Sequence, residues 1–264
     1  MRLILSIFPG VGLLDRAFEE CGFCVVRGPD LLWGGDVRTF EPPYNVFWGI
    51  IGGPPCQDFS AARRAEQTGY GRQMLREFCR VVQTARPQWW LMENVPRVPS
   101  VQLVGYRHQR FDIDQAWYEP ISRLRHIQFG SLSGQLLNVP IGRKLPDAVP
   151  AALACDDRPW PIVRALQGLP ETYELPPFTT AGKVAAVGNG VPLCIGRVLA
   201  AAVCEAFGVG RVTPADAGVT VGSVQTRCRC GCGRVLRGRQ LYAGVACRKR
   251  AERRRRACRI DDNC

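Results

Sequence analysis

An α/β fold with a doubly wound, mostly parallel sheet is what this sequence predicts, on three observations. Short apolar runs rich in Ile, Val, Leu and Trp alternate with stretches of helical spacing. The runs stop abruptly at Gly- and Pro-rich loops, as buried strands do. Strand and helix alternating in this way puts helices on both faces of a parallel sheet. The third observation is size: 264 residues with 46% hydrophobic content can bury one sizeable core, so one main domain with a small appendage is expected.

The elements follow in order. Leu3 to Phe8 reads as a strand, Pro9-Gly10-Val11-Gly12 as a turn, and Leu13 to Cys21 as a helix. On that helix Leu13, Leu14 and Phe18 share a face, which leaves Asp15, Glu19 and Glu20 polar, and Gly22 is a stop. A second strand spans Phe23 to Val26, and a third, Val46 to Ile51, runs into Gly52-Gly53-Pro54-Pro55-Cys56. Met74 to Val82 has helical spacing, and Gln88 to Met92 is a strand ending in Glu93-Asn94-Val95-Pro96. Between Arg97 and Asp114 the pattern is weak and an irregular surface segment is expected; Arg125 to Ser131 then reads as a strand. Pro161 to Gln167 and Leu193 to Phe207 read as helices, the second rich enough in Ala, Val and Leu to be well buried. Residues 208–226, with Gly, Thr, Ser and Val in no period, mark a linker.

Charge and cysteine content narrow the class. From Arg227 to Cys264 stand 13 Arg and Lys against three acids, a balance of +10, and +2 is left for the remainder of a chain whose formal charge is +12. The body is nearly neutral, and attraction to a polyanion belongs to the tail. Thirteen cysteines are an odd number, several scattered singly through apolar segments (Cys24, Cys79, Cys194, Cys204), which fits reduced thiols rather than a disulfide scaffold. The opening MRLILSIF is short for a signal segment, and no stretch approaches the roughly 20 apolar residues of a membrane span, so a soluble cytoplasmic protein without membrane contact is expected.

Two loops carry candidate chemistry. Cys56 follows a buried strand at the carboxyl edge of the sheet, the edge where ligands bind in open α/β folds. Glu93 ends the next strand in the same manner, and adjacent parallel strands would set thiol and carboxyl side by side, although taken singly Cys56 reads equally as a small packing residue in a turn and Glu93 as a turn or helix-start carboxylate. A thiolate needs an electrophile, and a neighbouring acid can polarise an aromatic nitrogen heterocycle through its ring nitrogen and amine. The turn at Phe8 to Gly12 suits close approach of a nucleotide-like ligand, although it lacks the third glycine of a dinucleotide fingerprint and reads equally as a tight turn. Asp30 and Asp36 stand at turn positions where a carboxylate accepts hydrogen bonds from a ribose or an amine, or caps the turn itself.

Taken together, FPGVG, Gly35-Asp36, GGPPCQDFS with Cys56, ENVP with Glu93, the Arg123/Arg125 pair, ALQGLPETY and GNGVP at Gly188 to Pro192 resemble the ordered motifs of the cytosine-5 DNA methyltransferases. The resemblance covers roughly residues 1–207, and the chain is compact in the way phage or prophage enzymes can be. It implies a Rossmann-like methyltransferase fold and S-adenosylmethionine as cofactor. By position it implies that Phe8, Gly10, Gly12, Asp30, Asp36 and Asn189 hold that cofactor, that Cys56 is the nucleophile and Glu93 the base-gripping acid, and that Arg123 and Arg125 support a flipped cytosine and its phosphate. The segment from Ser60 to Arg72 would be the closing loop.

The sequence departs from the family at identifiable positions. Ser6 stands where an acid is usual, Arg27 lies near the expected ribose-binding acid with Asp30 the remaining candidate, and Ile121 replaces a glutamine ahead of the arginine pair. Only residues 132–161 remain for target recognition, a reduced region without an obvious folded core. In the tail, residues 227–264, Cys228, Cys230, Cys232 and Cys247 lie among arginines and could bind one structural zinc, or form a basic arm of reduced cysteines. The expected partner is double-stranded DNA, with the protein a monomer; a partner restriction endonuclease cannot be read from the chain. RNA cytosine methylation, or a catalytically weak homologue that binds nucleic acid through its tail, are the alternatives.

Overall fold

The apolar run Leu3–Ile7 forms β1, followed by β2 (Cys24–Arg27), β3 (Gly49–Gly52) and β4 (Trp89–Asn94). This computed structural model describes residues 2–60 and 66–209 and, beyond them, positions 246 and 249 alone. Four strands are parallel in the order β2-β1-β3-β4. They continue antiparallel into β7 (Leu124–Ser131) and the edge strand β5 (Arg107–Asp114), giving a six-stranded sheet ordered β2-β1-β3-β4-β7-β5. The expected α/β architecture is present, with an antiparallel pair closing one side. Because the chain leaves β1 toward β2 and returns to its other flank as β3, a crevice opens at the carboxyl ends of β1 and β3.

Side chains of successive strand residues point to opposite faces, and each face has its own helices. Ile4, Ile51, Trp89 and Leu91 pack with Leu14 and Phe18 of α1 (Leu13–Glu20) and with Ile195, Leu199 and Val203 of α5 (Leu193–Ala206). Leu5, Ile7, Ile50, Trp90 and Met92 pack on the other face against Met74, Phe78, Val81 and Val82 of α2 (Tyr70–Ala85). Trp89 and Trp90, both 0% exposed, sit back to back across the sheet. Room for them comes from glycine: a Cβ at Gly49 would overlap the Trp89 indole, and one at Gly130 the Trp90 indole.

A third cluster joins α3 (Trp160–Leu166) and α4 (Thr180–Asn189) to Val11, Leu13 and Ala17 beside the first glycine turn. The chain therefore returns to the carboxyl edge of the sheet through α4 before α5 closes the first face. Thr180–Ala206 includes a window of mean hydropathy 1.6, long and apolar enough for a membrane span, contrary to the expectation from sequence. It is two helices interrupted at Gly190-Val191-Pro192, and 67% of the window is buried in the core.

Three further expectations need correction. The segment expected to be irregular contains β5, whose Arg107, Gln109, Arg110 and Asp112 carry no apolar period; eight residues of pairing with β7 make it a strand. α4, built from Ala, Gly, Lys and Val, was missed because it has too few large residues to display a period. Asp15, assigned to the polar side of α1, is 0% exposed. The 132–161 interval is tied to the body: Leu137 and Ala152 are buried, and a short strand β8 (Val149–Pro150) pairs with β6 (Ile121–Ser122).

Candidate active site

The crevice is a cavity of about 420 Å³ at the carboxyl ends of β1, β3 and β4, within the usual range for small-molecule sites. Two consecutive strand endings supply its reactive wall. β3 stops at Gly52, and the stiff Gly53-Pro54-Pro55 link brings Cys56 to the cavity. The loop is fastened to β4, since Asn94 Nδ2 donates to the Pro54 carbonyl at 2.9 Å. A Cβ at Gly53 would lie 3.4 Å from Glu93 Oε2, so the carboxyl group rests against the cysteine loop.

Glu93 is 7% exposed and receives Arg125 Nε on Oε1 at 2.7 Å. The register explains the pair: Glu93 lies opposite Ile127, and Arg125, two residues earlier on the same face of β7, reaches it diagonally. Burial pushes the Glu93 carboxyl above its ordinary value against the opposing pull of Arg125 and Arg123. The Cys56 thiol is also raised, first by burial and then by the Glu93 charge, while Arg125 pulls it down. Thiol, acid and guanidinium thus form one electrostatic unit in which burial raises both Cys56 and Glu93 and Arg125 opposes it.

Arg123 is not part of that wall. Its buried guanidinium donates to the carbonyls of Ala152, Gly188 (2.8 Å) and Gly190 (3.0 Å), and burial pulls it down to about 9, still charged near neutral pH. It braces the turn that carries Asn189, which does line the cavity.

The opposite wall is the glycine turn. Phe8 and Gly10, with φ of +56° each, face the cavity, and Phe8 is held in this left-handed conformation at the crevice itself. Gly12 does not line the cavity: at φ +76° it caps α1 and leaves room for the Arg27 side chain, which a Cβ would overlap. Asp30 does line it, but both its oxygens already accept backbone donors, Oδ2 from Gly10 at 2.7 Å and Oδ1 from Leu32 at 2.8 Å. Asp36 faces the cavity with its carboxylate gripped by Arg38 at 2.5 to 3.0 Å, hydrogen bonds that hold it below its usual range.

Sequence reasoning missed several lining groups. Leu31 and Leu32 belong to the rim, as does Phe178, which meets Trp33 edge-on at 5.5 Å; Trp33 Nε1 donates to the Gly10 carbonyl at 2.6 Å. An aromatic three residues after the turn aspartate is a signal, although nothing in the sequence shows that it folds back on the glycine turn. Ser6 and Asp15 line the floor. The closing-loop segment is described only in part. Residues 61–65 lie outside the described residues, and Asp58 pins the far end by accepting from Thr68 N (3.0 Å) and Gly71 N (2.8 Å). Cys228, Cys230, Cys232 and Cys247 lie outside the described residues; among the described ones no three metal-binding side chains cluster.

A family profile for C-5 cytosine-specific DNA methylases matches residues 35–104, the stretch holding Asp36, Cys56 and Glu93. The chain is 44% identical over 115 residues to the type II methyltransferase M.HgiGI of Herpetosiphon aurantiacus, covering 35% of this chain and 90% of that protein. This chain belongs to the cytosine-5 DNA methyltransferase family. It is also 31% identical over 177 residues to the type II methyltransferase M.HindV of Haemophilus influenzae, covering 54% of this chain and 58% of that one. It spans only 37% of the type II methyltransferase M.HgiDI of Herpetosiphon aurantiacus, so the share of these relatives' length that the chain covers varies widely. Among solved structures, the Entamoeba histolytica methyltransferase EhMeth superposes with a TM-score of 0.59 at 9% identity, over 78% of this chain and 98% of that one. A Spodoptera frugiperda DNMT2 mutant gives 0.56 at 13% identity, over 78% and 100%. At such identities the likeness speaks for the methyltransferase fold alone.

The family depends on S-adenosylmethionine, and the cavity suits it. Apolar Leu31, Leu32 and Val37 line the cavity together with Asp36, a mix that suits an adenine, and nothing lies within 4 Å of where a Gly10 Cβ would point, so a ligand can lie close to that backbone.

Proposed function

We propose that this protein methylates carbon 5 of cytosine in DNA. The observation that carries the reading is that Cys56 and Glu93, from neighbouring parallel strands, share one cavity wall with Arg125 paired to the acid. S-adenosylmethionine, held by Phe8, Gly10, Asp36 and Asn189, supplies an electrophilic methyl group.

Carbon 5 of cytosine is a poor nucleophile, and Cys56 corrects this by giving up its thiol proton to solvent and adding as the thiolate at carbon 6. The new sulfur–carbon bond displaces the double-bond pair onto carbon 5, with charge reaching ring nitrogen 3. Glu93, whose hold on a proton is strengthened by burial, is the acid that hydrogen-bonds there, and Arg125 fixes the direction of its carboxyl group. After carbon 5 has taken the methyl group, loss of its proton to solvent water re-forms the ring double bond and expels the Cys56 sulfur as thiolate. The target carbon lies within the base stack, so the cytosine must leave the helix to reach Cys56.

The reading extends to other parts of the chain. Asp30 supports the cofactor through the glycine turn, Arg123 supports it through the Asn189 turn, and double-stranded DNA in the cytoplasm is the substrate. Transfer of labelled methyl groups to duplex DNA, with digestion to nucleosides, tests it. Label in 5-methylcytosine from DNA supports it, and label found only in an RNA acceptor would replace DNA with RNA as substrate.

A further inference from the structure

Asp15 is the misplaced charge of this fold. Only 1% of its side chain is exposed, yet it forms part of the cavity floor beside Ser6. Ser6 Oγ donates to Oδ1 at 2.5 Å and Arg27 Nε to Oδ2 at 3.0 Å. The two positions where this chain departs from its family by lacking an acid are therefore both donors to one carboxylate, supplied from α1. Two donors leave it with accepting capacity unused. Burial pushes the group above its ordinary value in spite of both partners, so the site holds a carboxylate at a cost that a ligand cation would offset.

The layout of the cavity says which part of a ligand would meet it. Leu32, Val37 and Asp36, which follow β2, line it with the apolar and carboxylate mix an adenine takes, and Cys56 and Glu93, after β3 and on β4, line it where the transferred methyl must point. The floor at Ser6 and Asp15 is left for the amino-acid arm of the cofactor, whose ammonium is a compact cation with three donors. We propose that Asp15 binds this ammonium, with Ser6 and Arg27 aiming its carboxylate. The proposal rests on the cofactor assignment above and adds a residue to it.

Calorimetry on the full chain with two ligands tests it: S-adenosylhomocysteine, which has the amino-acid arm, and 5′-methylthioadenosine, which lacks it. Asp15→Asn should weaken the first by roughly tenfold or more, the scale of a charge-assisted hydrogen bond, and leave the second within about twofold. Equal weakening of both would mean that Asp15 only braces the turn, and no change in either would mean that it does not face the ligand; both results overturn the proposal. If Asp15→Asn does not fold, the wild-type complex with S-adenosylhomocysteine decides. An amino nitrogen about 3 Å from the Asp15 carboxylate supports the proposal and one beyond hydrogen-bond reach overturns it. Wild-type protein that binds neither ligand would remove the cofactor assignment itself, and the proposal with it.

Discussion

Arg125 Nε lies 2.7 Å from Glu93 Oε1 across the β4–β7 junction, so the acid proposed to grip the base is held by a guanidinium before any substrate arrives. Burial still wins, and the carboxyl is raised above its ordinary value of 4.5. A group raised in this way contributes stability below its unfolded value and loses that contribution as pH climbs through the folded one. Glu93→Gln mimics the neutral form. We expect methyl transfer to slow by on the order of a hundredfold or more. Thermal unfolding at pH 8 should show a Tm no lower than that of wild type. A large loss of Tm would mean that the ion pair, not the neutral acid, is what the fold needs.

The same charge acts on the thiol. Because Glu93 raises Cys56, Glu93→Gln should increase the rate of Cys56 alkylation by iodoacetamide near pH 7 while it slows methylation. In wild type the alkylation rate should keep rising with pH past the ordinary thiol value of about 8.5. Mass spectrometry of the Cys56 peptide over a pH series measures both, and a midpoint below about 8 would contradict the electrostatic account.

Arg123 offers the opposite combination. Replacing it by Met leaves the carbonyls of Ala152, Gly188 and Gly190 without their buried donor. We expect a loss on the order of 3 kcal/mol in urea unfolding. Binding of S-adenosylhomocysteine should weaken through the Asn189 turn, while Cys56 alkylation should slow only slightly, because Arg123 is the weakest of the cations and hydrogen bonds that lower the thiol. Unchanged stability would show that the carbonyl contacts contribute little.

Much of this was legible in the sequence, and what was not has physical reasons. β1, β3 and β4 are buried on both faces, so their continuous apolar runs and Gly-Pro stops gave away both the strands and the loops bearing Cys56 and Glu93. β5 was hidden because an edge strand need not bury either face, and its existence depends on β7. Asp15 was misread because helical spacing sorts residues by polarity, whereas its burial follows from Ser6 on β1 and Arg27 on β2. Arg123 and Arg125 look equivalent as a pair two residues apart. Only the surroundings separate them, one among the carbonyls of the Asn189 turn and one against Glu93.

The tryptophan pair gives a test of the fold alone. Gly49→Ala and Gly130→Ala each force a methyl group into an indole in a core without slack. Each should destabilise by roughly 1–3 kcal/mol, read as a lower urea midpoint with unchanged m-value. Wild-type midpoints would mean that the strands are spaced more loosely than described.

The central claim is that the Cys56 sulfur attacks carbon 6, and duplex DNA carrying 5-fluorocytosine at the target site tests it most directly. The fluorine takes the place of the proton that must leave, so the enzyme should methylate once and stay bound to the DNA through Cys56, as a complex that survives denaturing electrophoresis. Cys56→Ser, whose hydroxyl is far less nucleophilic near neutral pH, should give neither complex nor methylation while keeping its affinity for S-adenosylhomocysteine. Methyl transfer by Cys56→Ser at the wild-type rate, or wild-type methylation of 5-fluorocytosine DNA with no trapped complex, would contradict the account.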